Sequence, residues 1–145
     1  MLLPGGTGDY IKIGRQIYHQ LIVENDKGNV FPILGICLGF QRLVKFSKSK
    51  GLTINSQVAQ KQWLTLSFLE DPATTNMFGS MENPNLLAEA PMTYNNHKYG
   101  ISLENFRKNK GVSSMFRATS TSTSDTTGDT FVASMESHSY PFMGT

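Results

Sequence analysis

Residues 31–41 read FPILGICLGFQ, an apolar run that leads through the five residues GICLG (35–39) into a helical pattern. The first part, residues 31–36, has no polar alternation, which predicts a strand buried on both faces. Residues 38–46 then place apolar side chains at helical spacing. A buried strand that turns directly into a helix is typical of an α/β fold.

The segment before this stretch has the same order. Residues 2–6, LLPGG, are typical of a strand end that enters a loop. Asp9 can cap a helix over residues 10–23, whose apolar side chains recur at steps of three and four residues. The side chains that set this pattern are Tyr10, Ile13, Ile17 and Leu21. Strand, helix, strand and helix together predict an α/β fold with a mostly parallel sheet and flanking helices.

The middle of the chain is less regular. Strands are predicted over residues 52–54, 63–69 and 91–94 from their β-branched and aromatic content. A short helix is predicted over residues 83–90, because it would end before the next proline.

Serine and threonine dominate residues 113–130. We predict a strand over residues 115–119, a polar hairpin turn over residues 127–129, and a second strand over residues 131–135. The alternative for such a composition is a disordered linker that is phosphorylated. The apolar residues FVASM (131–135) follow at once and favour the hairpin.

Composition limits the function. The 145 residues are enough for one domain with a core and too few for two large ones. The net charge is +2 with scattered basic residues, which indicates no nucleic-acid partner. No apolar run approaches the roughly 18 residues of a membrane span, so no membrane partner is expected. The single cysteine, Cys37, excludes an intrachain disulfide and a zinc site built from several thiolates.

Cys37 lies at the strand-to-helix junction in the pattern of a nucleophile elbow, with cysteine in place of serine. A sharp turn strains the central residue and requires small neighbours two positions away, which are Gly35 and Gly39. The turn exposes the sulfur at the carboxyl edge of the sheet, where a helix N-terminus favours the thiolate. The backbone N–H of Leu38 points to the same place. The alternative is a buried structural cysteine, the commonest environment of a free thiol.

Pro4, Gly5 and Gly6 follow the other predicted strand, so this loop is expected at the same edge of the sheet. Glycines let a backbone approach a ligand closely and offer N–H groups to an oxyanion. A plain turn is the alternative for so short a motif.

Four segments in order resemble one family. Residues 2–6 and 31–41 resemble class I glutamine amidotransferase-like proteins, and among these the γ-glutamyl hydrolases, which cleave folylpoly-γ-glutamates. Residues 96–102 (NHKYGIS) and 134–141 (SMESHSYP) are similar to that family's F-H-K-W-S-L and S-T-M-E-G-Y-x-Y-P segments. The resemblance implies a class I glutamine amidotransferase-like (flavodoxin-like) fold, of which residues 1–145 would form an incomplete domain.

The resemblance also implies roles for individual residues. Cys37 matches the nucleophile that attacks a γ-linked amide carbonyl and forms a thioester, which water then cleaves. The backbone N–H groups of Gly6 and Leu38 match the oxyanion hole, and Gly5 is expected to bind substrate beside them. His97 matches a histidine that lines the substrate pocket, although a histidine in a polar loop is by itself more often an exposed bystander.

Other matched positions have supporting roles. Gly35 and Gly39 are expected to shape the elbow. Gln41 departs from the family, which commonly has glutamate after C-L-G-F, and glutamine keeps the hydrogen bonds but loses the charge. Glu136 and Tyr140 match motif positions near the pocket edge, where no direct role is expected.

The family's Y-P segment continues into a Gly-x-Gln-x-His-Pro-Glu motif with the general-base histidine, which residues 1–145 do not include. General acid–base catalysis is worth about 10²–10⁴-fold, so negligible hydrolase activity is expected from residues 1–145 alone. His19 is predicted to be a surface residue, and His138 is not at the base position. The family's first βαβ unit is expected to be missing as well.

The predicted function is cysteine-dependent hydrolysis of γ-glutamyl bonds in folylpolyglutamates or related peptides, with no metal or organic cofactor. The alternative is a pseudoenzyme or fragment that binds γ-glutamyl ligands or a partner protein. A third interpretation, a glutaminase subunit, is disfavoured by residues 96–102 and 134–141. The resemblance further implies a homodimer and a lysosomal, vacuolar or extracellular location.

Overall fold

The computed structural model describes residues 1–8, 10–47 and 59–145. The first elements are β1 (Leu2–Leu3), α1 (Ile11–Asp26), β2 (Ile33–Gly35) and α2 (Leu38–Ser47). Both predicted helices and both predicted strands of this region are therefore confirmed. The predicted Asp9 cap and the predicted strand over residues 52–54 lie outside the described residues.

The middle region contains short elements. They are β3 (Ala59–Leu64), β4 (Ser67–Phe68), a 3₁₀ turn (Pro72–Thr74), α3 (Leu86–Glu89) and β5 (Thr93–His97). The strand predicted over residues 63–69 is divided between β3 and β4, which belong to different sheets. The helix predicted over residues 83–90 forms only as α3, and the strand predicted over residues 91–94 begins later and includes His97.

The last elements are α4 (Leu103–Lys108), α5 (Lys110–Met115), β6 (Phe116–Thr123), β7 (Thr130–Ser137) and β8 (Phe142–Gly144). The hairpin predicted in the serine- and threonine-rich segment is confirmed, since β6 and β7 are antiparallel neighbours. The turn between them includes Gly128, whose φ of +73° suits glycine. The sequence did not predict α4 or α5.

The main sheet has six strands in the order β1-β2-β8-β7-β6-β4, while β3 and β5 form a separate two-stranded ribbon. The structure is mixed α/β, as the sequence predicts. The pairs β1–β2 and β2–β8 are parallel. The pairs β8–β7, β7–β6 and β6–β4 are antiparallel, so the prediction of a mostly parallel sheet is wrong beyond the first three strands. Short connections allow only antiparallel neighbours, and β6, β7 and β8 are joined by such connections.

The buried face of α1 differs from the predicted one. Ile13 and Ile17 are 60% and 41% exposed, whereas Gly14 and Tyr18 are buried. A methyl group at Gly14 would lie 2.9 Å from Cζ of Phe46, so the glycine lets α2 pack against this side of α1. The aromatic ring of Tyr18 then fills the space beside Phe46.

The prediction that β2 is buried on both faces is also wrong. Ile33 and Gly35 face the core, but Leu34 is 38% exposed. Ile36, just after the strand, is exposed because it lines the cavity described below. No described element covers the Leu34 side of β2 fully, so only one face of this strand contributes to the core.

The hairpin of β6 and β7 carries an unusual polar interior. Thr119, Ser120 and Ser134 are buried, and the Ser134 hydroxyl forms hydrogen bonds with the hydroxyls of both others. Ser122 is also buried and donates to the carbonyl oxygen of Thr65 over 2.8 Å. Because these hydroxyl groups bond to one another or to backbone, their burial does not leave unsatisfied polar atoms.

Candidate active site

Cys37 lies in the two-residue connection between β2 and α2, directly before α2, and its φ of +53° is in the left-handed region. This conformation is costly for any residue with a Cβ, so the predicted strain at the elbow is confirmed. The backbone N–H of Cys37 donates to the carbonyl oxygen of Thr145 over 2.7 Å. The thiol is exposed, which excludes the alternative of a buried structural cysteine.

Gly35 and Gly39 permit the close approach that the elbow requires. A methyl group on Gly39 would lie 2.0 Å from the carbonyl oxygen of Leu3 in β1. A methyl group on Gly35 would lie 2.7 Å from the carbonyl oxygen of Gly39. Since both obstacles are backbone atoms, neither position has room for a side chain, and β1, β2 and the start of α2 are held together at the elbow.

The glycine loop, residues 4–8, lies against Cys37. A methyl group on Gly5 would lie 3.1 Å from Cβ and 3.8 Å from Sγ of Cys37. Gly6 has a φ of +104°, which favours glycine, and open space around its α-carbon. The structure therefore brings Gly5 directly beside the nucleophile candidate and places Gly6 next in the same exposed loop.

Two side chains hold the glycine loop, and the sequence analysis did not identify them. Arg42 is buried in α2 and donates from Nη2 to the carbonyl oxygen of Gly8 over 3.0 Å. Its guanidinium lies 5.8 Å from the ring centre of Tyr10, whose hydroxyl donates to the carbonyl oxygen of Pro4 over 3.0 Å. Burial raises the pKa of Tyr10, and the Arg42 charge opposes that shift. The sequence offered one signal for this role of Arg42: it follows Gly39 by three residues and therefore lies on the same face of the helix.

A cavity of about 360 Å³ opens beside the elbow. Cys37, Gln41 and His97 all line it, so three of the predicted site residues meet there. Its other walls come from Ile36 and Phe40 at the elbow, Thr93 to Asn96 in β5, and Phe131 to Ala133 in β7. Gly6 and Leu38 flank the elbow without lining this cavity.

His97 is half-buried at the end of β5, not in a polar loop. Its imidazole meets the Phe131 ring edge-on, with the ring centres 4.6 Å apart. Gln41 donates from Nε2 to the carbonyl oxygen of Tyr99 over 3.0 Å, which ties α2 to the chain that follows His97. An ionised carboxylate only accepts, so this hydrogen bond depends on the amide of Gln41.

The other candidates lie away from the cavity. His19 is exposed on α1, as predicted, and His138 is exposed with Nε2 3.1 Å from the carbonyl oxygen of Ser113. The Tyr140 hydroxyl donates to Asp26 over 2.8 Å, a hydrogen bond that raises the pKa of Tyr140.

Glu136 is only 1% exposed and is bound by Arg117 through Nη2 at 2.6 Å and Nε at 3.2 Å. It also accepts from the backbone N–H of Met77 over 3.1 Å. Arg117 pairs in addition with Glu70 at 2.9 Å, and the Glu136 contact raises the pKa of Arg117. Glu136 thus joins β7 to β6 and to the loop at Met77, which is a structural role.

Within residues 1–8, 10–47 and 59–145, no group of three or more histidine, cysteine or acidic side chains could hold a metal ion. None of the helices in these ranges is both long and apolar enough to cross a membrane.

Comparison with known proteins identifies relatives along nearly the whole chain. No protein-family model matches the sequence. The gamma-glutamyl hydrolase of Rattus norvegicus is 32% identical over 149 aligned residues, which cover 97% of this chain and 46% of that protein. The gamma-glutamyl hydrolase of Homo sapiens is 30% identical over 99% of this chain and 46% of its own length, and gamma-glutamyl hydrolase 2 of Arabidopsis thaliana is 29% identical over 99% and 43%. The chain thus spans less than half the length of these relatives. The resemblance predicted from the four motifs is confirmed: this chain is related to the gamma-glutamyl hydrolases, an enzyme family.

Proposed function

We propose that this chain carries the nucleophile and part of the substrate pocket of a cysteine-dependent γ-glutamyl hydrolase. The observation that carries the proposal is Cys37 itself, exposed at a left-handed elbow beside a cavity that it shares with His97. The relatives, all named gamma-glutamyl hydrolase, support hydrolysis of γ-glutamyl bonds as the activity. We also propose the class I glutamine amidotransferase-like fold, since the parallel β1–β2–β8 unit presents the elbow at the end of its central strand.

In the proposed reaction, Sγ of Cys37 attacks the γ-carbonyl carbon of the bound glutamyl group. The C–N bond then breaks, the amine leaves with a proton, and a γ-glutamyl thioester remains on the sulfur. Water adds to the thioester carbonyl, the C–S bond breaks, and free γ-carboxylate and thiol are formed. No metal or organic cofactor takes part in this sequence.

The developing oxyanion would be stabilised by the backbone N–H groups of Gly6 and Leu38. A methyl group on Gly5 would lie 3.8 Å from Sγ of Cys37, and Gly6 is the next residue of the glycine loop. This short distance supports the assignment of the Gly6 N–H. Removing one such donor costs about 10²–10³-fold in rate in comparable enzymes. Arg42 and Tyr10, which bond to the two ends of the loop, would fix its position.

His97 would contact the bound glutamyl group, and Phe131 would hold its ring in place. Among the described residues that line the cavity, His97 is the one histidine. The resemblance places the general-base histidine in a motif that residues 1–145 do not include, and general acid–base catalysis is worth about 10²–10⁴-fold. We therefore propose that residues 1–145 alone form the thioester slowly and turn over negligibly.

Ligand protection of the sole cysteine tests whether the cavity takes a γ-glutamyl group. The rate of alkylation of Cys37 by iodoacetamide is measured with increasing γ-glutamylglutamate and, separately, α-glutamylglutamate. We expect saturable protection by the γ-linked dipeptide and much weaker protection by the α-linked one.

The variant His97→Gln should lose most of this protection, whereas the matched variant His138→Gln, outside the cavity, should keep it. Equal protection by both dipeptides, or none by either, would contradict the proposal. Protection without any acyl-enzyme would favour the second candidate, a pseudoenzyme that binds γ-glutamyl ligands.

A further inference from the structure

The strand that pairs with β5 contains a strained bulge. Ala59 pairs with His97, and the next pair after it is Gln62 with Asn95. β3 thus has two residues where β5 has one. The second of these, Lys61, has a φ of +54°, a left-handed conformation that is costly for any residue with a Cβ. Such strain persists only where the surrounding contacts hold it in place.

The bulge decides which residue lies opposite His97. In a regular ladder Gln60 would take this position, but the extra residue puts Ala59 there instead. Ala59 is fully buried in one cluster with Phe131 of β7. The imidazole of His97 meets the same Phe131 ring, with the ring centres 4.6 Å apart. The bulge therefore lets the end of β5 pack on β7 at the wall of the cavity.

Gln62, directly after the bulge, ties β3 to the turn between β6 and β7. Its Nε2 donates to Oγ1 of Thr126 over 2.8 Å, and its Oε1 accepts from the backbone N–H of Asp125 over 2.9 Å. The Ser124 hydroxyl oxygen lies 3.3 Å from both of these side-chain atoms. Both ends of the Gln62 amide thus bind the hairpin that carries Phe131.

We propose that Gln62 is a positioning residue, whose amide holds β3 and β5 on the β6–β7 hairpin and so keeps His97 at the cavity wall. The proposal rests on the proposed function, which assigns His97 to the bound glutamyl group. Gln62 itself does not line the cavity, so it acts through His97 and not on the ligand. Without the amide bonds, the strain at Lys61 favours release of the bulge, and β5 loses its fixed position on Phe131.

A pair of glutamine variants isolates the amide. Gln62→Met keeps the length of the side chain and removes both hydrogen-bonding groups, while Gln60→Met is the matched control at an exposed glutamine of the same strand. Nuclear Overhauser effects between the ring protons of His97 and Phe131 report the contact without any ligand. We expect them in the unaltered chain and in Gln60→Met, and we expect their loss in Gln62→Met.

Protection of Cys37 from iodoacetamide by γ-glutamylglutamate measures the consequence in the cavity. The half-protecting concentration should rise about 2- to 12-fold in Gln62→Met, the loss expected for one neutral hydrogen bond, and should stay unchanged in Gln60→Met. The alkylation rate without ligand should be the same in both variants, because the elbow is built from β2 and α2 and not from β3.

A conservative variant tests for rescue. The carboxylate of Gln62→Glu can accept from the Asp125 N–H and from the Thr126 hydroxyl, which donates as well as accepts. Gln62→Glu should therefore restore the ring contact and the protection at neutral pH. If Gln62→Met does not fold, Thr126→Val removes the same bond from an exposed turn and should weaken protection in the same direction.

An unchanged contact between His97 and Phe131 in Gln62→Met would overturn the proposal, as would a loss that Gln62→Glu does not restore. Where the dipeptide protects the unaltered chain, equal protection in Gln62→Met and Gln60→Met would also overturn it. If the ring contact depends on Gln62 while the dipeptide fails to protect even the unaltered chain, the positioning of His97 stands and the proposed function fails.

Discussion

Replacing Gly39 with alanine should destabilise the chain through a backbone collision. The new methyl carbon would lie 2.0 Å from the carbonyl oxygen, 2.7 Å from the carbonyl carbon and 2.8 Å from Cβ of Leu3. Since none of these atoms is the end of a flexible side chain, β1 as a whole must move away from α2. Overpacking of this kind costs about 1–3 kcal/mol, and the upper end applies to a backbone collision.

Two further effects set the net change in the free energy of unfolding. Alanine gains up to about 1 kcal/mol over glycine in a helix, which offsets part of the collision. Detachment of β1 would also relieve the collision, but it would expose Leu3 and lose about 1.5–3 kcal/mol of burial free energy. We therefore expect Gly39→Ala to lose about 2 kcal/mol of the free energy of unfolding.

Urea unfolding followed by circular dichroism measures this loss. With a slope of about 1–3 kcal/mol/M for small domains, the midpoint should fall by roughly 1 M. Gly8→Ala is the matched control, because its methyl group would lie 3.8 Å from Cδ1 of Tyr10, an ordinary van der Waals distance, and it should change stability by less than about 0.5 kcal/mol.

Hydrogen exchange detects the case in which only β1 detaches. The N–H groups of Leu34 and Ile36 donate to the carbonyl oxygens of Met1 and Leu3, and both should lose protection in Gly39→Ala. An unchanged midpoint together with unchanged exchange at these two amides would refute the packing of β1 against the elbow.

Three further predictions concern single residues. Cys37→Gly should be more stable than Cys37→Ala by about 0.5–1 kcal/mol in urea unfolding, because glycine relieves the positive φ; a more stable alanine variant would argue against the strained elbow. Tyr18→Phe should stabilise the chain by up to about 1 kcal/mol, because the buried Tyr18 hydroxyl, whose pKa is raised by burial, has no hydrogen-bond partner among the described residues; a loss of stability would show that the hydroxyl is bonded. Hydrogen bonds from Lys27 and Asn29 lower the pKa of Glu24, so their contribution to stability is present above the usual glutamate pKa and lost as the pH falls through the lowered one. Lys27→Met should therefore raise the Glu24 pKa in an NMR titration, and an unchanged value would mean that the ion pair does not form in solution.

The elbow could be predicted because its determinants are local. A strand, a cysteine between two glycines and a helix follow one another within a few residues, and the required φ and close approach arise from the chain itself. The glycine loop was predicted for the same reason, since the end of a parallel strand fixes which edge of the sheet it reaches.

The buried face of α1 could not be predicted from hydrophobic periodicity. Gly14 has no side chain and contributes nothing to such a pattern, yet it decides which side of the helix α2 can approach. The burial of Thr119, Ser120 and Ser134 could not be predicted for a similar reason, because the hydroxyl pairs that let these side chains face the interior come from two strands at once. Arg42 was missed because its partners, Gly8 and Tyr10, lie far away in sequence.

Mass analysis of the acyl-enzyme tests the central claim most directly. The chain is mixed with γ-glutamyl-p-nitroanilide, whose amine is a better leaving group than that of an amino acid and takes its proton from water, then quenched in acid and digested. We predict one γ-glutamyl group on the peptide that contains Cys37, released by hydroxylamine as a thioester should be, and absent from Cys37→Ala. A γ-glutamyl group on another residue, or no adduct at Cys37 in the unaltered chain, would contradict the assignment of Cys37 as the nucleophile.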